Sequence, residues 1–253
     1  TYLEEGDSAV VTRTSVIIRN NAGETVQREC KTINIDQTQV DKGGHKHFMA
    51  KEIAEQPTVL GEAIQHYLPN DETQINLPGG DLDFSKVNRL VMVACGTASY
   101  ACLTAKYWFE QIAGIPVEVD VASEFRYREP PITEGTVALF VSQSGETADT
   151  LAALRYCTGK ADKIVSVINV PESSIARESD LALPILAGAE IGVASTKAFT
   201  CQLSVLLILA LKAAQDRSQL AVEELGQHLA DLRALPGLIN QAIGSEPQIA
   251  QVA

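Results

Sequence analysis

Thr136-Val137-Ala138-Leu139-Phe140-Val141-Ser142-Gln143-Ser144-Gly145-Glu146-Thr147 begins as an unbroken apolar run and ends as a polar loop. The run has the length and composition of a strand buried on both faces. Leu151 and Leu154 follow Ala148 at helical spacing, so the loop lies where a strand hands over to a helix. The first N–H groups of a helix have no partner within it and carry the positive end of its dipole. Gly145 lets the backbone come close, while Ser142, Ser144 and Thr147 offer neutral donors beside the Gln143 amide. This is a setting for a phosphate group. The alternative is an ordinary N-cap serine followed by a turn glycine.

Outward from this stretch the pattern repeats. Apolar runs at 90–94, 117–121, 164–168 and 181–186 read as further strands, and helical patterns fill the gaps between them. Ala98 to Ala113 is one such helix, ended by Gly114 and Pro116, and Ser195 to about Ala214 is the last. Strands of this kind joined by helices predict a five-stranded, doubly wound parallel α/β sheet of order 2-1-3-4-5. In that order the first and third strands are neighbours where the winding reverses. Cys95-Gly96-Thr97 and Ser142-Gln143-Ser144 then open into one crevice, the place where such sheets bind ligands.

Gly192-Val193-Ala194-Ser195-Thr196-Lys197 is a third loop of interest. Ser195 or Thr196 is a natural N-cap for the last helix. Lys197 in its first turn opposes the helix dipole, which points to an acidic neighbour or a bound anion. Cys95 has no evident base beside it and reads as a buried or ligand-adjacent thiol, not a nucleophile. His45, His47, His66 and His228 lack metal-ligand spacing, and no metal or cofactor is expected.

Composition sets further bounds. The net charge of −12 leaves no basic stripe for nucleic acid, though local dipoles can still bind a single phosphate. The five cysteines are odd in number and unpatterned, as expected in a reducing, cytoplasmic setting. The apolar run from Leu203 to Leu211 ends at Lys212, is too short to span a bilayer, and reads as a buried helix rather than a membrane segment.

The flanks are less regular. Residues 1 to about 35 resemble short hairpins, with strands at 8–11 and 15–18 and a turn at Asn20-Asn21-Ala22-Gly23. They cannot close a core alone, and with the abrupt start at Thr1 they point to the end of a larger domain. Residues 36–84 read as a linker with short helices, one of them stopped by Pro57. Beyond Ala214, Leu220, Leu225, Leu229, Leu232 and Leu235 mark an amphipathic helix before Pro236-Gly237. Its apolar face would need a partner, which makes a homodimer plausible.

Ala94-Cys95-Gly96-Thr97, Ala122-Ser123-Glu124-Phe125-Arg126-Tyr127-Arg128, Ser142 to Thr150 and Glu190 to Thr200 form a set of blocks. Together they resemble glutamine–fructose-6-phosphate aminotransferase (isomerizing), a family that makes glucosamine 6-phosphate. Leu3-Glu4-Glu5-Gly6-Asp7 is similar to the close of that family's glutaminase domain. His47 to Pro57 is similar to its interdomain segment. The resemblance implies that residues 1–35 end a glutaminase domain and that 36–84 link it onward. It further implies that 85–215 form the first of two sugar isomerase (SIS) domains, flavodoxin-like in architecture, and that 216–253 lead to the second.

The resemblance also implies that fructose 6-phosphate binds with its phosphate on Ser142, Gln143, Ser144 and Thr147, helped by Thr97. Cys95 and Gly96 would line the same pocket, and Val193 and Ser195 would contact the sugar. Ala98 stands where the family commonly has serine. Ammonia from glutamine would be the second substrate of the whole enzyme. The reacting base, lysine and histidine of the family belong to its second SIS domain and C-terminal tail, so no catalytic residue is assigned here. A sugar-phosphate-sensing SIS module of a regulator is one alternative. A stand-alone isomerase using Glu190 is another.

Overall fold

The computed structural model describes residues 1, 3–30, 41–69 and 73–252, and the chain forms two compact units, Thr1–Asp41 and Lys42–Ala253. The calls on 31–40 and 70–72, the end of the remnant and part of the linker, lie outside the described residues.

The first unit is a small antiparallel sheet of β1 (Ser8–Val11), β2 (Val16–Arg19) and β3 (Thr25–Val26), in that order. Thr12 Oγ1 accepts the Ser15 amide at 2.9 Å across the first turn, and Asn20 Oδ1 accepts the amides of Ala22 and Glu24 at the second. These are the local side-chain bonds that make Thr and Asn turn residues. Arg28 grips Asp7 through two hydrogen bonds, and that guanidinium holds the Asp7 carboxyl below the usual carboxylate range. Ile18 is the buried hydrophobic residue of this unit among the described residues. That is too little to form a core.

The second unit is built on β4 (Arg89–Ala94), β5 (Val117–Val121), β6 (Thr136–Ser142), β7 (Lys163–Ile168) and β8 (Leu181–Pro184). All pairings are parallel and the order is β5-β4-β6-β7-β8, the doubly wound order expected. Alternate residues of the central strands face opposite layers. Leu90, Met92, Val137, Leu139 and Val141 join one core, while Val91, Val93, Ala138 and Phe140 join the other. The crossover helices are α2 (Gly96–Ile112), α3 (Ala122–Arg128), α4 (Ala148–Cys157) and α5 (Ser174–Glu178). With α6 (Lys197–Asp216) on the α2 side, they cover both faces. The fifth strand is shorter than expected. It stops at Pro184, and Leu186 takes a positive φ of 54°.

The stretch expected to hold short linker helices contains one long helix, Phe48–Tyr67, which is α1 and is called αN below; it runs straight through Pro57. Proline removes the N–H that would bond to the Ile53 carbonyl. The Gln56 side chain donates to that carbonyl at 3.2 Å instead, which compensates the lost bond. Leu60, Ala63, Ile64 and Tyr67 recur at helical spacing and are buried in the same core as α6. Tyr67 also donates its hydroxyl to the Pro184 carbonyl at 2.7 Å, fixing the helix to the edge strand.

The last amphipathic helix, α7 (Val222–Ile243), likewise continues past Pro236-Gly237. Leu225, Leu229 and Leu232 are buried against αN and the central core. The apolar face that argued for a dimer is therefore covered within the chain itself. A short helix, α8 (Glu246–Ala250), follows. Among the described residues one helix, α6, is long and apolar enough to cross a membrane, and it is mostly buried between its neighbours.

Candidate functional site

β4 and β6 pair with Ala94 opposite Val141, so their C-terminal ends open side by side. At the end of β4 the chain turns at once into α2 through Gly96, whose φ of +57° is open to glycine but strained for other residues. This turn brings Cys95 and Thr97 to the wall of a cavity of about 230 Å³. The loop after β6 contributes Ser142, Gln143, Ser144 and Thr147 to the same wall. The segment before α6 adds Val193 and Ser195. Of the nine residues expected at the site, Gly96 alone shapes the turn without lining the space. Ala98, set aside for its missing hydroxyl, lines it.

The hydroxyls of the β6 loop do not cap a helix. Ser142 Oγ accepts the Gly145 amide at 3.0 Å and lies 3.5 Å from Thr147 Oγ1, and Ser144 Oγ accepts the Glu146 amide at 3.2 Å. Thr147 occupies the N-cap of α4, and Cys95 that of α2, yet neither side chain bonds to its helix. Two helix N-termini with uncapped first-turn amides therefore face one cavity, each presenting positive partial charge. The N-cap alternative does not describe how these residues are used. Asp149, in the first turn of α4, is paired with Arg126 at 2.8 Å, which offsets its negative charge at that helix end.

Gly145 has a second duty. It takes a φ of +68°, and a Cβ there would fall inside Ser173 Oγ and Cβ and 2.9 Å from Ile168 Cδ1. Its carbonyl accepts the Ile175 amide at 3.1 Å. The glycine permits close approach of the α5 loop, behind the cavity.

The third wall is held by carboxylates. Glu190 accepts the amides of Thr196 (2.9 Å) and Ala198 (3.2 Å) on one oxygen and the Ser195 hydroxyl (3.1 Å) on the other. Thr196 occupies the N-cap position, but Glu190 does the capping. Glu52 of αN accepts the amides of Ile191 (2.6 Å) and Gly192 (2.9 Å), and Glu55 pairs with Lys197 at 2.7 Å. The acidic neighbour expected for Lys197 is thus Glu55. Thr200 donates to Gln56 at 2.6 Å on the same helix face. A Cβ at position 192 would press on Glu52 Oε2, so a side chain there must push that carboxylate aside although the φ is not in the left-handed range. Sequence reading missed Glu52 and Gln56 because their partners lie about 140 residues away; the unexplained charge of Lys197 was the one clue.

Glu190 is consequently engaged by donors and suits a structural part better than that of a base. Glu190→Gln is expected to lower stability by roughly 1 kcal/mol, as weakened caps do, and to leave phosphate affinity unchanged. Chemical denaturation alongside calorimetric titration checks both; lost affinity at full stability would instead make Glu190 a ligand contact.

Cys95 is half-buried, and Thr150 Oγ1 lies 3.9 Å from its sulfur. No base approaches it in the described contacts, in keeping with a ligand-adjacent thiol. Burial pushes the thiols of Cys102 and Cys201 up to about 12 and that of Cys157 to about 11.

Residues 83–212 match the SIS domain family. The chain belongs to the SIS domain family. The SIS match starts after αN, although αN packs into its core. Over its whole length the chain is 53% identical to a glutamine–fructose-6-phosphate aminotransferase (isomerizing) of Bradyrhizobium diazoefficiens. It is 48% identical to that of Zymomonas mobilis, again over the whole chain. It spans 42% of the length of each of these relatives. Among solved structures, the C-terminal domain of glucosamine-fructose-6-phosphate aminotransferase from Francisella tularensis is 40% identical. The two superpose with a TM-score of 0.80, covering 84% of this chain and 60% of that one. A glucosamine-6-phosphate deaminase from Thermotoga maritima shares the SIS fold at 24% identity and a TM-score of 0.56, covering 73% of this chain and 53% of that one.

Proposed function

We propose that this chain is the fructose-6-phosphate-binding part of a cytoplasmic glutamine–fructose-6-phosphate aminotransferase. The single observation that carries the reading is the pair of uncapped helix N-termini, with the hydroxyls of Thr97, Ser142, Ser144 and Thr147, around one cavity. A doubly charged phosphate ester is held there by oriented amides and hydroxyls, so the chain's overall negative charge is no obstacle. Cys95 and Gly96 shape the β4 side, Gln143 the β6 side, and Val193 and Ser195 meet the sugar. No resident cofactor or metal is required for this binding.

Residues 1–35 are the end of a glutaminase domain, 36–84 the interdomain segment, 85–215 the first SIS domain and 216–253 the approach to a second. The interdomain segment includes αN, which packs on the SIS core. Glutamine-derived ammonia is the co-substrate of the whole enzyme, which acts as a homodimer; neither nucleic acid nor membrane is a partner. Isomerisation needs a base and an amine near C1 and C2 of the sugar. Among the described residues the cavity wall carries no lysine or histidine, and its one carboxylate is occupied. The relatives from Bradyrhizobium diazoefficiens and Zymomonas mobilis are aminotransferases, which does not favour the regulatory module.

The test uses the purified chain with fructose 6-phosphate, ammonia and iodoacetamide. Fructose 6-phosphate is expected to slow alkylation of Cys95 but not of exposed Cys30, with Cys102, Cys157 and Cys201 reacting only on unfolding. No glucosamine 6-phosphate should form. Product formation, or an unprotected Cys95 at saturating ligand, would overturn the reading.

A further inference from the structure

Gln202 lies in the second turn of α6, is 2% exposed, and lines the cavity. Its helix neighbours are paired: Thr200 donates to Gln56, and Ser204 donates to the Thr200 carbonyl. The Gln202 amide makes no hydrogen bond to any described residue. A carboxamide has two donors and an oxygen with two lone pairs, and here those atoms meet no protein group and are left to the cavity. Val205, Leu206 and Leu209, further along the helix, are apolar and fully buried, so packing alone would be served by leucine or methionine at 202.

The cavity wall therefore has two chemistries. The loops after β4 and β6 present positive partial charge and hydroxyl groups, which suit an anion. Gln202 presents a neutral group that can give and accept at once. A sugar hydroxyl does the same, and neighbouring hydroxyls can engage both ends of one carboxamide. We propose that Gln202 is a specificity-determining residue that reads the hydroxyls of the bound sugar phosphate. This rests on the sugar-phosphate reading above and adds to it a residue on α6.

The test is calorimetric titration of the full chain and its Gln202→Met variant with fructose 6-phosphate and with inorganic phosphate. Methionine keeps the length of the side chain and packs among apolar neighbours. The variant is expected to bind fructose 6-phosphate roughly ten- to a hundredfold more weakly and inorganic phosphate as before. Its melting temperature should be unchanged, because methionine fills the same space and the lost amide bonds to no protein group. Unchanged affinity for fructose 6-phosphate would overturn the proposal, and so would equal losses for both ligands or a lowered melting temperature, which mark a packing role. A wild-type chain that binds inorganic phosphate but not fructose 6-phosphate would instead defeat the sugar-phosphate reading, and this assignment with it.

Discussion

A chain shortened to begin at Asp83, where the SIS match starts, is expected to have no cooperative unfolding transition, whereas one beginning at Lys42 keeps it. The difference is αN. Shortening uncovers the core surface that Leu60, Ala63, Ile64 and Tyr67 fill. Burial of the three large side chains contributes roughly 5–9 kcal/mol at 1.5–3 kcal/mol each. That is comparable with the whole stability of a domain, about 5–15 kcal/mol. The loss also strips Leu225, Leu229 and Leu232 of α7 of a covering layer and releases the Tyr67 bond to β8. Within the intact chain, Leu60→Ala should cost about 2–5 kcal/mol. Thermal melts followed by circular dichroism check both. A cooperative melt from the shortened chain would show that the sheet layers support themselves.

Gly145→Ala is expected to lower stability by about 2–4 kcal/mol and to abolish phosphate binding. The methyl group must enter space held by Ser173, itself fully buried, and Ile168, while the backbone keeps a left-handed φ. The loop can relieve this only by moving away from α5. That displaces Ser144 and Thr147 from the cavity and breaks the bond from Ile175 to the Gly145 carbonyl. Ser173→Gly in the same chain removes two of the three clashing atoms and should return more than half of the lost stability. If the double variant is no more stable than Gly145→Ala, the steric account fails.

The sheet order was legible because each strand is an apolar run bounded by turn residues, and because parallel crossovers allow few arrangements. The site's loops followed from that order: Cys95, Thr97 and Ser142–Thr147 meet wherever β4 and β6 are neighbours. What the sequence hid depended on partners elsewhere in the chain. Pro57 and Pro236 read as stops, yet both helices run through them, and at Ile53 the Gln56 side chain takes up the carbonyl that Pro57 orphans. The face of α7 looked unpartnered because αN, its cover, had been divided at Pro57. Ser195 and Thr196 look like caps in one dimension; Glu190 performs that task by folding back five to eight residues. Gln202 was invisible for a different reason. Inside an apolar helix, one amide gives no periodic signal and shows itself only through the missing partner.

The close seating of Gly192 against Glu52 bears on how this chain can vary through descent. Glycine at 192 is favoured by a carboxylate 140 positions earlier, not by its own torsion angles. A mutation that adds a side chain at 192 must displace the carboxylate at 52 or meet a shorter residue there. A shortened residue at 52 in turn leaves the Ile191 and Gly192 amides bare. The two sites therefore form one unit of inheritance spread across the boundary of the matched domain, and lineages that change one should be found to have changed the other.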